Sequence, residues 1–99
     1  MNSKIKTDSV EALFDAVLTL KTKEDCYKFF EDVCTIKELL AMAQRYEVAK
    51  LLTKKMTYLD IAEKTGASTA TISRVNRSLE YGADGYQMVF ERLGITKKD

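Results

Sequence analysis

Apolar residues recur along this chain at intervals of three and four, and no segment alternates apolar and polar positions as a half-buried strand would. Val10, Leu13, Phe14, Val17 and Leu18 form the i, i+3, i+4, i+7, i+8 stripe of a first helix with one buried face, and Asp8 or Ser9 is placed to cap it. Thr22 followed by Asp25 opens a second helix carrying Cys26, Phe29, Phe30 and Val33. Thr35 with Glu38 is a T-x-x-E capping box that opens a third, which runs through Ile36, Leu39, Leu40, Ala43, Tyr46 and Leu51 to about Lys54. Thr57 with Asp60 starts a fourth, Ser68 caps a fifth, and Asp84 with Gln87 starts a sixth that buries Val89, Phe90 and Leu93 before Gly94. The pattern predicts an all-α chain of six short helices in a single domain over residues 1–99, with polar, frayed ends at 1–7 and 96–99.

A domain of this length buries only about 60% of its unfolded surface when it stays alone. Yet Phe14, Phe29, Phe30, Tyr46, Tyr86 and Phe90 all fall on the expected helices. A second copy of the chain gives that apolar surplus a place to go, so a homodimer is expected; the same rings filling a monomeric core is the alternative. The longest apolar run, residues 39–43, is far shorter than the 18 or so residues of a membrane span. Met1–Ser9 carries lysines without a following apolar segment, so no membrane association is expected and the cytoplasm is the expected location. Cys26 and Cys34 share a helix on this reading, about 12 Å apart along its axis, too far for a disulfide; both are expected as reduced core thiols.

The composition also narrows the chemistry. Without a single His the chain lacks the commonest general base and metal ligand, and no Gly-rich phosphate loop or helical carboxylate pair replaces it. No catalytic residue, no metal site and no cofactor are expected, and an enzyme is the least favoured class.

The most informative segment is Tyr58-Leu-Asp-Ile-Ala-Glu-Lys-Thr-Gly-Ala-Ser-Thr-Ala-Thr-Ile-Ser-Arg-Val-Asn-Arg77, which has the spacing of a helix-turn-helix. Ala62 is small where a second helix must cross, and Gly66 supplies the positive φ of a sharp turn. Ile61, Ile72 and Val75 are apolar where the pair must pack, and Ser68 offers a hydroxyl to the second helix's unpaired N–H groups. With Ile72, Val75 and Leu79 turned inward, Thr69, Ala70, Ser73, Arg74 and Arg77 fall on or beside the outward face. Short side chains let a helix seat deeply in the major groove, and an Arg pairs with guanine or grips a phosphate. Ser68, Thr69, Ala70, Thr71, Ser73, Arg74 and Arg77 are therefore candidate contacts to double-stranded DNA. Short helical hairpins with a Gly turn also occur in proteins that never touch DNA, so a helical protein–protein interaction module is the competing class.

Charge by segment bears on that choice. The total is only +1, but residues 1–40 hold six lysines against eight carboxylates, and residues 80–99 are net −1. Residues 41–79 hold seven cations against three carboxylates, so the positive charge sits with the motif. Lys54 and Lys55 precede its first helix and Lys64 lies near that helix's end, making them candidate phosphate contacts beside the N–H groups around Thr57.

Gly66-Ala-Ser-Thr-Ala-Thr-Ile-Ser-Arg74, with Asn76 and Ser78-Leu79, resembles the turn and recognition helix of the Trp repressor family, and more closely its small YerC/YecD-type branch. The resemblance extends more weakly back to Thr35 and forward through Tyr81-Gly-Ala-Asp-Gly-Tyr86. It implies six helices per subunit, an intertwined homodimer and a recognition helix in the major groove. Two-fold dimers of this class, Trp repressor itself being one of the standard examples, read half-sites about 34 Å apart. It also implies positions for a co-repressor: Arg74 matches one of two arginines that sandwich an indole, Arg45 matches the other with a one-residue gap, and Ser78 falls on a ligand-contacting position. Val75, however, stands where the family has a Gly that lets the ring lie against the backbone. Tryptophan is therefore not the expected ligand; either no small-molecule effector or a different one is. The sequence as a whole predicts a dimeric, sequence-specific DNA-binding regulator, acting as a repressor.

Overall fold

The computed structural model describes residues 2–96; of the polar end expected at 96–99, residues 97–99 lie outside the described residues. Six α-helices follow a single 3-10 turn at Ser3–Ile5: α1 (Asp8–Val17), α2 (Lys23–Val33), α3 (Ile36–Thr53), α4 (Tyr58–Thr65), α5 (Thr69–Tyr81) and α6 (Gly85–Arg92). No strand occurs among the described residues, and none of the helices is long and apolar enough to cross a membrane. At the N-terminal end the Oδ1 of Asn2 accepts from the Lys4 N–H at 2.9 Å and closes the 3-10 turn. The chain divides into two compact units, Met1–Leu39 and Leu40–Asp99.

The first unit is built by caps. Thr7, rather than Asp8 or Ser9, caps α1: its hydroxyl accepts from Val10 N–H at 3.1 Å, which leaves Asp8 inside the first turn. There its charge still favours the helix dipole. Thr22 accepts from Asp25 N–H at 3.0 Å, as its spacing predicts. At the start of α3 the capping box is reciprocal: Thr35 Oγ1 accepts from Glu38 N–H at 3.0 Å, and Glu38 Oε1 accepts from Thr35 N–H at 2.9 Å. The Thr35 N–H, and after it the Thr35 hydroxyl, favour the ionised Glu38 carboxyl and hold it below its ordinary pKa of 4.5.

No described residue in α1 or α2 is buried. The apolar stripe of α1, expected to be an inner face, is open within this chain: Phe14 is 52% and Leu18 82% exposed. Phe29 and Phe30 pack edge to face with centroids 5.5 Å apart, but two helices of 10 and 11 residues cannot enclose each other's faces. The cysteines are corrected in the same way. Both are free thiols, but Cys26 is exposed and Cys34, at the C-cap of α2, is half-buried, so neither is a core residue.

The second unit has a true core: Val48, Ala49 and Leu51 of α3, Ile61 of α4, Ala67 of the turn, Ile72 and Val75 of α5, and Phe90 of α6. Full burial of a side chain such as Ile61 or Phe90 stabilises by roughly 1.5–3 kcal/mol each. Phe90 stacks with Tyr86 and tilts against Tyr46, joining α6 to α3. Leu93, expected to be buried, is 64% exposed. The start of α6 also departs from expectation. Asp84 is its N-cap but takes a left-handed φ of 64° and makes no side-chain cap bond. Gln87 instead reaches back to α5, where its Nε2 donates to the Leu79 carbonyl at 2.6 Å.

Helix α3 ends in a Schellman motif: Met56 N–H donates to Leu51 O at 3.2 Å and Lys55 N–H to Leu52 O at 3.0 Å. The motif demands a left-handed residue, and here it is Lys55, with φ of 66°.

Two outcomes are expected. Because the Glu38 carboxyl has a depressed pKa in the folded chain, its contribution to stability is complete above its ordinary value of 4.5 and is lost as the pH falls through the lower folded value. Thermal melts from pH 7 down to 3 should therefore show an acid-side loss that is smaller in Glu38→Gln. Lys55→Gly should raise stability by about 0.5–1 kcal/mol, since the left-handed penalty of a Cβ exceeds the extra chain entropy of Gly; the urea midpoint reads it.

Candidate nucleic-acid interface

Helices α4 and α5 pack against each other, and the turn between them is specified atom by atom. Thr57 caps α4 by accepting from Asp60 N–H at 3.2 Å. At the other end Gly66 takes a left-handed φ of 73° and its N–H donates to Ala62 O at 2.9 Å, the conformation the sequence predicts for that glycine. Thr65 adds a bracket that the sequence did not reveal. Its hydroxyl donates to Ile61 O at 2.7 Å and accepts from Ala67 N–H at 3.1 Å. Gln44 of α3 then donates from Nε2 to the Thr65 carbonyl at 3.2 Å, tying the turn to the long helix. A polar residue on α3 facing a carbonyl 21 positions away leaves no periodic signal, which is why sequence reasoning missed it.

Ser68 then opens α5. Its Oγ accepts from Thr71 N–H at 3.1 Å and donates to Thr71 Oγ1 at the same distance, so these two candidate contact residues also hold each other. Thr71 is half-buried, whereas Thr69, Ala70, Ser73, Arg74 and Arg77 are all exposed. Ile72 and Val75, fully or almost fully buried, anchor the opposite face, and Leu79 packs against the core behind them. The helix thus presents methyl and hydroxyl groups over its first turns and guanidinium groups beyond them. That arrangement can approach base edges closely at one end and grip phosphate at the other.

The candidate cations, Lys54, Lys55, Lys64, Arg74 and Arg77, form no ion pair among the described residues. Among the described residues the ion pairs are Lys28–Glu24 and Lys50–Glu47, at 3.6 and 3.1 Å, and neither includes a candidate contact. Lys54 is the residue after α3, Lys55 the left-handed residue beside it, and Lys64 sits exposed in the last turn of α4. Asp60 and Glu63 are exposed on α4 as well, so that helix is not itself basic. The positive field comes from α5 and the α3–α4 junction.

Of the residues considered for an effector, Arg74 and Ser78 line a shallow groove of about 360 Å³ together with Arg77, Tyr81 and Gly82. Arg45, half-buried on α3, stands outside that set. Val75, which stands where the resemblance implies a Gly, lies in the core at 2% exposure. Among the described residues no three His, Cys, Asp or Glu side chains gather into a metal-holding group.

The fold is shared with known proteins. The chain is 48% identical over 96 residues to the YerC protein of Bacillus subtilis strain 168, covering 97% of this chain and 92% of that one. A TrpR-like protein from Eubacterium eligens superposes with a TM-score of 0.93 at 67% identity, over 98% of this chain and 100% of that one. A candidate Trp repressor from Staphylococcus aureus superposes with a TM-score of 0.92 at 46% identity, over 97% and 96%. The family profile described as Trp repressor protein matches residues 8–94, from the first turn of α1 to the glycine after α6, and the chain belongs to the Trp repressor family.

Proposed function

We propose that this chain is a homodimeric, sequence-specific DNA-binding regulator of the cytoplasm, a repressor that occludes a promoter by seating α5 in the major groove. The observation that carries the reading is the composition of one face of α5: small exposed side chains at Thr69, Ala70 and Ser73, then Arg74 and Arg77 with no carboxylate partner among the described residues. In this reading Thr69, Ala70 and Ser73 meet base edges. Ser68 and Thr71 shape the end of the helix that enters the groove. Arg74 and Arg77 take guanine or phosphate, and Lys54, Lys55 and Lys64 take phosphates on either side. The TrpR-like and candidate Trp repressor relatives support a regulatory role.

The dimer rests on the first unit. Two helices with apolar faces and no buried residue do not stabilise themselves, and a second copy of the same faces is the simplest cover. A small-molecule effector is not required by this reading, and tryptophan is disfavoured because Val75 stands where the resemblance implies a Gly.

Selection of genomic fragments by the purified protein tests the central claim. Enrichment of a two-fold symmetric site is expected, with affinity falling steeply as salt rises; no enrichment with a shallow salt response would favour a protein-docking module instead. Arg77→Ala should reduce the slope of log affinity against log salt by about one. Changes at Thr69 or Ser73 should alter which sequence is selected. Sedimentation should show a dimer, and Phe14→Asp should dissociate or unfold it; a native monomer would remove the dimer from this reading.

A further inference from the structure

The C-terminal half of α5 carries a feature that the base-edge contacts of Thr69, Ala70 and Ser73 do not use. Arg74, Arg77, Ser78 and Tyr81 lie at i, i+3, i+4 and i+7, and with Gly82 they line one open groove of about 360 Å³. Tyr81 is 82% exposed, and among the described residues its ring meets no other ring and its hydroxyl has no hydrogen bond. The carboxylate nearest in sequence, Glu80, accepts from Asn76 Nδ2 at 3.4 Å instead of pairing with an arginine. A phenol, a hydroxyl and two guanidinium groups thus line one hollow with donors to spare and no carboxylate among the lining residues.

The end of the groove is held bare. A side chain at Gly82 would place its Cβ 2.3 Å from the Ser78 carbonyl oxygen, a backbone atom that cannot yield. The Gly82 N–H donates to that same oxygen at 3.0 Å as the last bond of the helix, and the extended backbone of Gly82, with ψ of −156°, takes the chain off the helix directly after Tyr81.

Helix rise fixes what the groove would meet. Measured from Thr69, Arg74 lies about 7.5 Å along the axis, Arg77 about 12 Å and Tyr81 about 18 Å. The major groove is about 12 Å wide, so a helix entering it by its Thr69 end carries Tyr81 past the groove and onto the sugar–phosphate wall. We propose that this groove is a seat for one phosphodiester of the flanking duplex, held by the Arg74 and Arg77 guanidinium groups, with the Tyr81 hydroxyl donating a further hydrogen bond to it. Tyr81 is thereby a DNA contact outside the bases that α5 reads. The inference rests on the DNA-binding reading above and adds the place where the footprint ends.

The test uses the full chain and the duplex it selects, prepared with single methylphosphonate substitutions that neutralise one phosphate at a time. Wild-type protein should lose affinity at each contacted phosphate, those of Lys54, Lys55 and Lys64 included, and the seat is the flanking phosphate, one per half-site, at which the effect of Tyr81 vanishes. Tyr81→Phe, which removes only the hydroxyl, should bind the unmodified duplex roughly tenfold more weakly, as loss of a hydrogen bond to a charged group does. On the duplex neutralised at that phosphate, the two proteins should bind alike. The salt slope should be unchanged in Tyr81→Phe and reduced in Arg77→Ala.

Equal affinity of Tyr81→Phe and wild type on the unmodified duplex overturns the seat, as does an equal loss on both duplexes. A change of oligomeric state in Tyr81→Phe would place the ring between copies and overturn it too. Inorganic phosphate titrated without DNA and followed by the Tyr81 ring resonances supplies the other arm. Saturable binding there, with duplex affinity indifferent to Tyr81, would make the groove a small-anion site and overturn the proposal. If the wild-type protein selects no duplex at all, the DNA-binding reading itself has failed. That result is distinct from a protein that binds DNA without regard to Tyr81.

Discussion

The direction in which α5 leaves α4 is set over four residues, Thr65 to Ser68, and the interface depends on it. Gly66 supplies the left-handed φ of 73° that lets the chain reverse. Thr65 bonds back to Ile61 and forward to Ala67, Gln44 holds the Thr65 carbonyl, and Ala67 is buried beneath. A glycine alone would permit many exit angles, because its conformational freedom is what allows the turn. The threonine and glutamine remove that freedom. On the proposed DNA-binding reading, hydrogen bonds to base edges tolerate little misplacement, so the bracket behind the turn matters as much as the side chains in front of it.

The second unit needs a firm core for the same reason. Ile61, Ile72, Val75 and Phe90 are buried to within 2% of completely, and they come from three different helices. Gln87 adds a polar tie from α6 to the Leu79 carbonyl near the end of α5. Helix α5 is therefore held along its inner face, while Thr69, Ala70, Ser73, Arg74 and Arg77 stay exposed on its outer face. The first unit has the opposite character. Its helices are well capped and amphipathic, yet they bury nothing among the described residues. A capped amphipathic helix without a core is complete in local structure and unfinished in packing.

That contrast explains what could be read from the sequence. Capping chemistry is local, so Thr22, Thr35, Thr57 and Ser68 mark four helix starts correctly, and Gly66 marks its turn. The inner face of α5 follows from period alone. Burial is not local: the stripe on α1 shows that a face wants covering but not what covers it, and the expectation that Phe14 and Leu18 lie inside fails within one chain. Choice among adjacent caps is also beyond pattern, since Thr7, Asp8 and Ser9 are all competent and backbone geometry decides for Thr7. The Asp84–Gln87 spacing imitates a capping box, but the left-handed backbone at Asp84 turns its carboxylate away and leaves Gln87 to bond elsewhere.

Lys55 joins the stability of the fold to its charge. Local rules would put Gly at the left-handed end of α3, and they would keep a cation away from the positive end of α4, which begins three residues later. Lys55 violates both rules and gains no ion pair among the described residues in return. Departures from local consistency are expected where a residue serves something outside the chain. The net charge of the whole protein is +1, so each candidate cation near α4 and α5 contributes a large share of the local field. On the proposed DNA-binding reading, a small protein with acidic flanks cannot rely on bulk positive charge to find DNA. It has to place a few cations where phosphates will be, and a strained lysine at the approach to the helix-turn-helix fits that constraint.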